Sequence, residues 1–527
     1  MWPLYIFLIV CGLAQATEVD REICNTENWT ELNLKIIQDE DDIKRITSNK
    51  CAIILRYPPS GMLTKNILDL LPRQSLKILQ VTGQLRVLDD DSFSSLRYLK
   101  YLKLSEVDFA NSDMLSGDGR FTKNIESLDL SKNGLTNLDF FKTESKKLKK
   151  LNLDRNTLQT VPNDLKVFDN LEELSMSNNK IRNISLVYSL IDVEYLDLSH
   201  NYIRNASGLE YFPNLEVLNL TNNNIDELRV EYFGIDRSNM RELLLDHNAI
   251  EFIGVRLLMN FRNLKTFSIS KNRLRKLIPT TDAYRDTELE TLNLGENHLD
   301  EIPYNFLKWF PFLKTLKINN NKLSYLRPGT FSNLNNLEVL DLSNNEIVNF
   351  DVRRLLPLES LSILNISSNK IEQIDYFSLV LHLPTLKSIR MDGNSLFCEN
   401  LIEMLSYLKI NDVQVEDGEC EGSAHIKGIC CEDSTKNYTE NKFNMAAFSM
   451  MKQNEKNVEK LDELLETLKN ITSRRVGSSS VQEESVVITK ATFWTGLGVV
   501  IIALILILLV LVVTLITKKK EILPVHL

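Results

Sequence analysis

A curved solenoid of short parallel strands, closed at its ends by disulfide caps, is the fold class this 527-residue sequence predicts. Three observations predict it. A phrase with leucine-type residues at its first, fourth and sixth places and asparagine at its ninth recurs along the chain. Its cleanest copy is Leu337-Glu-Val-Leu340-Asp-Leu342-Ser-Asn-Asn345-Glu-Ile347. The asparagines of the phrase are Asn133, Asn156, Asn179, Asn201, Asn223, Asn248, Asn272, Asn297, Asn321, Asn345, Asn369 and Asn394, spaced 22 to 25 residues apart. Six of the seven cysteines lie before or after this array, none inside it, and Cys11 falls in the leader.

That period and pattern define a leucine-rich repeat array. The fourth and sixth residues sit two apart on a strand and point inward together, while the residues between them point outward. The asparagine turns the chain away from the strand, where its amide can satisfy orphaned backbone groups of neighbouring coils. No coil buries its apolar face alone, so stacking carries the stability, each buried leucine contributing roughly 1.5–3 kcal/mol. The expectation is an α/β horseshoe of about 14 repeats over 76–396, with disulfide caps, a C-terminal helical or coiled-coil segment and one transmembrane helix.

Taken in order, residues 1–16 read as a signal peptide, with an apolar run and the small residues Ala14 and Ala16 at the cleavage site. Residues 17–75 form an N-terminal cap in which Cys24 pairs with Cys51 and closes the apolar end of the stack. The run Gln38 to Asp42 reads as a solvated face or loop, and Ala52 to Leu55 as the first strand. Two degenerate repeats follow, with Val107 in the asparagine place of the second. Residues 397–433 form the C-terminal cap. Vicinal cysteines rarely bond to each other, so Cys398 and Cys420 each take one of Cys430 and Cys431, in either arrangement.

Beyond the cap, 440–472 lacks glycine and proline and carries a heptad-like stripe that includes Asn454, Val458, Leu461, Leu465 and Leu468. This is a candidate partner helix, with Asn454 setting register in a coiled coil, or else a lone amphipathic helix packed on the cap. Residues 473–490 read as a stalk. Residues 491–517 carry no charge, enough apolar length to cross a bilayer. Lys518-Lys519-Lys520 opens a cytoplasmic tail, 518–527, by the excess of positive charge inside. The expectation is a single-pass type I plasma-membrane protein with its ectodomain outside the cell.

The formal net charge is −10, and no basic stripe suits a nucleic acid. Among outward strand positions, Asp129, Asp154, Glu173, Asp197, Glu242, Asp246, Asp341 and Asp392 are acidic, against Lys150, Lys317 and Arg390. This mildly acidic face reads as either a protein-binding surface or a solubilising one. Its apolar exceptions, Tyr195, Val217, Leu244, Val339 and Ile363, are scattered. Seven glycosylation sequons occur, at Asn28, Asn183, Asn205, Asn219, Asn365, Asn437 and Asn470. No catalytic constellation, metal site or cofactor motif is present in the sequence. His200 and His247 lie two coils apart, too far to share a metal, and read as exposed variable positions.

The segment Gly428-Ile429-Cys430-Cys431-Glu432, followed by a heptad-like helix, resembles the mosquito leucine-rich immune protein family, and the apolar run makes the chain similar to its transmembrane subfamily. The resemblance implies a non-enzymatic role in innate immune recognition or scaffolding. It implies extracellular protein partners such as complement-like proteins or related leucine-rich repeat chains. The chain departs from soluble members of that family in its short helical segment and its anchor. A cell-adhesion or neuronal surface protein has the same architecture and is the alternative.

Overall fold

The computed structural model describes Cys24 and residues 29–432 except 35–38, 57–61, 64, 84–86, 89–92, 108–119, 187–189, 235–238, 281–286, 419, 421–424 and 427. The expected leader, partner helix, stalk, membrane span and tail lie outside these residues. So do the residues Val458, Leu461, Leu465 and Leu468. No helix among the described residues is long and apolar enough to cross a membrane.

The repeated phrase forms a single 17-stranded sheet, and every pairing in it is parallel. Each strand pairs with the next one in sequence, from Trp29–Asn33 to Gln414–Val415. Setting aside those two and Ala52–Arg56, fourteen strands belong to the repeats. A typical strand is three residues long with its middle residue buried and its neighbours half-exposed, as in Val217–Asn219. The inward residues, such as Leu218, Leu243, Leu292 and Leu340, are completely buried. They form one continuous core with the leucines and phenylalanines of the return segments.

The return segments contain little helix. A three-residue strand and an asparagine turn leave too few residues in a 22–25-residue coil for a long one. Among the described residues six coils close instead in a single 3₁₀ turn, such as Leu209–Tyr211 or Leu307–Trp309. Val255–Met259 and Tyr376–His382 are the short α-helices within the repeats among the described residues. Behind the turns, buried rings of adjacent coils meet edge to face, Phe141 on Phe168 at 5.0 Å and Phe233 on Phe261 at 5.1 Å. That is a favoured arrangement for aromatic pairs.

The asparagines do the same work in every coil. Asn223 Nδ2 donates to the carbonyl of Leu220 in its own coil (3.1 Å) and to that of Leu198 in the coil before (2.9 Å). Its Oδ1 accepts from the backbone N–H of Ile203, also in the coil before (2.9 Å). All twelve asparagines repeat this three-bond pattern. The ladder ends at Asn133, which serves Val107 and Leu104 of the coil that lacks an asparagine.

Two expectations for the N-terminal cap are corrected. The first strand is Trp29–Asn33, ahead of Ala52–Arg56 and paired with it. The acidic run is a solvated face as expected, exposed at Asp39 to Asp41 and opening helix Glu40–Thr47. Asp39 caps it by accepting from the Asp41 N–H (3.0 Å), acids fill its first turn, and Lys44 and Arg45 fill its last. These charges complement the helix dipole. The Cys24–Cys51 bond is present, but it does not close the end of the core. Cys24 packs with Ala52 and Ile78 in a separate cluster on the outward side of the first strands, with Trp29 and Tyr101 against it. Ala52 and Ile78 sit at outward strand positions, so whatever they bury against must lie on that side.

At the other end, helix Cys398–Ile410 covers the last coil with Leu401, Met404, Leu405 and Leu408. Cys398 bonds to Cys431 and Cys420 to Cys430. Gly428 turns the hairpin His425–Cys430 at φ +74°, where a side chain would strike the Gly418 carbonyl.

Asn223→Ala orphans the Ile203 N–H in a dry interior and leaves the Leu198 and Leu220 carbonyls with one donor each, Asn201 and Asn248. We expect a loss on the order of 3 kcal/mol, read as a lower midpoint in chemical denaturation. Asn224→Ala, next door and exposed, should change stability by less than about 0.5 kcal/mol.

Candidate binding face of the sheet

Strand register sets the outward residues in rows. One row runs Tyr101, Ser127, Lys150, Glu173, Tyr195, Val217 and Glu242, each the direct partner of the next. The next row contains three of the eight expected acids and four asparagines, and the structure commits them to the backbone. Oδ1 of Asp129, Asn152, Asp197, Asn219, Asn293, Asp341 and Asn365 accepts the N–H two residues on, at 2.8–3.1 Å. Each bond satisfies an amide at the end of a strand, where the ladder no longer reaches it.

Two strands, Glu173–Ser175 and Thr266–Ser268, have serine at this position, too short to reach. There an aspartate reaches over from the preceding coil. Asp154 Oδ1 accepts from Ser175 Oγ (2.6 Å) and the Ser177 N–H (2.8 Å). Asp246 Oδ1 accepts from Ser268 Oγ (2.6 Å) and from both the N–H and Oγ of Ser270 (2.6 and 2.7 Å). Burial raises the Asp154 carboxyl above its ordinary value, and these donors only partly offset it. Glu173 is paired with Lys150 (2.6 Å) and Asp392 with Arg390 (2.8 Å). Of the eight expected acids, Glu242 alone has no such partner among the described residues. The acidic row is thus largely an internal cap, a role written in sequence as Asp or Asn two residues before Ser or Thr.

The sequons share this chemistry. Asn219 and Asn365 are half-buried on the sheet face, with Oδ1 engaged as above. Asn205 Oδ1 accepts from the Ser207 N–H (2.8 Å), and both Asn205 and Asn183 are exposed beyond the sheet. Asn28, Asn437 and Asn470 lie outside the described residues. His200 and His247 are not simply variable positions. Both are left-handed, at φ 54° and 55°, like Lys132, Asn178 and Asn222 at the same place in other coils. That turn delivers the following asparagine into the core. Among the described residues no group of three histidines, cysteines or carboxylates could hold a metal.

Apolar exposure on this face is less scattered than the sequence implies. Tyr195 is 37% exposed and shares its row with Tyr101, Ile78 and Trp29. Together they edge a hollow of about 450 Å³ whose floor includes Lys103, Asp129, Lys150 and Glu173. Burial, then the carboxylates of Asp197, Asp154, Glu173 and Glu242, hold the Tyr195 phenol above its ordinary value, so it remains an O–H donor. Trp29 and Tyr101 escape sequence reasoning because their coils lack the asparagine that marks the register.

With this geometry in hand, the comparisons are concordant. The leucine rich repeat family matches residues 287–347, and its two-copy form matches 169–211 and 191–230. No curated protein is similar enough in sequence to match. Among solved structures the chain is similar to a leucine-rich repeat protein of Leptospira interrogans, with 22% identity, 73% of this chain and 94% of that one covered, and a TM-score of 0.58. It is similar to the mouse RP105/MD-1 complex, with 22% identity, 73% and 65% covered, and a TM-score of 0.55. The mosquito APL1 leucine-rich repeat domain follows with 23% identity, 68% and 91% covered, and a TM-score of 0.49. The fold is a leucine-rich repeat solenoid.

Asp154 supplies a test of the cap assignment. Asp154→Ala strands the Ser177 N–H and should cost about 1–3 kcal/mol. Asp154→Asn keeps Oδ1 for both donors and removes a buried charge, so it should match or exceed the parent at neutral pH. Because the folded carboxyl is raised, the parent gains relative to Asp154→Asn as pH falls through the raised folded value towards the ordinary 3.8. Denaturation midpoints of the three proteins across that range check both signs.

Proposed function

We propose that this chain is a non-enzymatic cell-surface protein that binds other proteins through its repeat sheet, in innate immune recognition or scaffolding. The observation that carries the reading is the outward face. Nine of its strand-end amides are satisfied internally, so its remaining side chains stand in fixed register and need no rearrangement before contact. Such preorganisation favours affinity by lowering the entropy lost on binding.

Three disulfides support an extracellular setting, because such bonds persist in oxidising compartments. The uncharged run 491–517 supports a single-pass anchor, and Lys518 to Lys520 an inward-facing tail. The immune assignment rests on the resemblance of Gly428 to Glu432, and the helix that follows, to the mosquito leucine-rich immune proteins. In this reading Val458, Leu461, Leu465 and Leu468 pair with a helix of another chain, and complement-like or related leucine-rich repeat proteins are the partners.

The test uses the full chain in cells, with one epitope tag after residue 16 and another after Leu527. On unpermeabilised cells the first tag should stain and the second should not. Cross-linking at the surface of blood cells should then recover extracellular immune proteins. Staining of neither tag at the surface contradicts the placement. Recovery only of adhesion proteins contradicts the immune role.

A further inference from the structure

We propose that the hollow between Tyr101 and Tyr195 is a binding site for a short neutral oligosaccharide. The two tyrosines stand in one row, separated by Ser127, Lys150 and Glu173. Four strand steps of about 4.8 Å place them about 19 Å apart along the sheet, room for a few sugar rings. The volume of about 450 Å³ lies within the roughly 300–1,000 Å³ usual for small-ligand sites.

The lining selects the class. Each end carries an aromatic face, suited to the apolar C–H face of a pyranose. The floor carries two ion pairs, Lys103 with Asp129 at 3.1 Å and Lys150 with Glu173 at 2.6 Å. Their four charges cancel, so the floor attracts neither an anionic nor a cationic ligand. They still offer ammonium donors and carboxylate acceptors at fixed points. A sugar hydroxyl both donates and accepts, and it can use both kinds of group at once. An apolar peptide side chain would leave the same charges desolvated and unrewarded. The Tyr195 hydroxyl adds a neutral donor at one wall. The proposal depends on the first eight strands alone, so its failure would leave the reading of the chain as an immune surface protein standing.

Purified full-length protein in detergent would be presented to immobilised cellotriose, chitotriose and mannotriose, with sialylated and sulfated glycans alongside. At least one neutral trisaccharide should bind. Tyr101→Ala and Tyr195→Ala should each weaken that binding at least tenfold, Tyr195→Ala with the thermal midpoint unchanged. Ile363→Ala, an exposed residue in the same row beyond the hollow, should leave it intact. Retention of charged glycans only, no retention of any neutral trisaccharide, or binding indifferent to both tyrosine changes would each overturn the proposal. So would a protein ligand lost in the tyrosine variants yet not displaced by free trisaccharide.

Discussion

One carboxamide per coil holds this structure in register. Each asparagine of the ladder sits where the strand has ended and the return has not begun, so three backbone groups there have no partner in any regular element. Nδ2 ties two carbonyls from consecutive coils and Oδ1 ties an N–H of the earlier one. The bond network therefore runs along the solenoid rather than within a coil. Hydrophobic burial stabilises the stack, yet apolar contact is non-directional. The amides are what allow only one alignment, since a coil displaced by a residue would lose both bonds that cross to the coil before and leave its N–H buried and unpaired.

The sheet face is shaped by a second solution to the same problem. Nine strands take a side chain at their terminal amide. Where Asp or Asn stands on the strand, it reaches two residues on to take that amide. Where serine stands instead, Asp154 or Asp246 comes over from the previous coil. Binding capacity on this face is what remains after these claims are met. Tyr195 is left open near its middle, and an aromatic-edged hollow lies between it and the Trp29 and Tyr101 pair.

Much of this was legible in the sequence, for reasons that differ by feature. The parallel strands and the ladder were legible because a leucine at the wrong place buries a polar backbone, so the spacing is rigid. Cys24 with Cys51 was legible because no other cysteine lies between the expected leader and the array. Which of Cys430 and Cys431 meets Cys398 was not, since one residue separates the alternatives and only the fold of helix Cys398–Ile410 distinguishes them. The strand Trp29–Asn33 was hidden because it has no asparagine phrase behind it. The acids were misjudged as surface charge because the count of outward residues carries no information on where an Oδ1 points. Asp197 and Ser199 needed to be seen as a pair.

Native-state hydrogen exchange tests the central claim most directly. The N–H groups of Leu158, Ile181, Ile203, Ile225 and Ile250 bond to asparagine side chains of the next coil and to no strand. If the ladder aligns the coils, these amides exchange as slowly as those of the inward strand residues Leu196 and Leu218. Exchange at the rate of exposed return-segment amides, with the strand amides still protected, would show that the coils hold their alignment without the asparagines and would contradict the account.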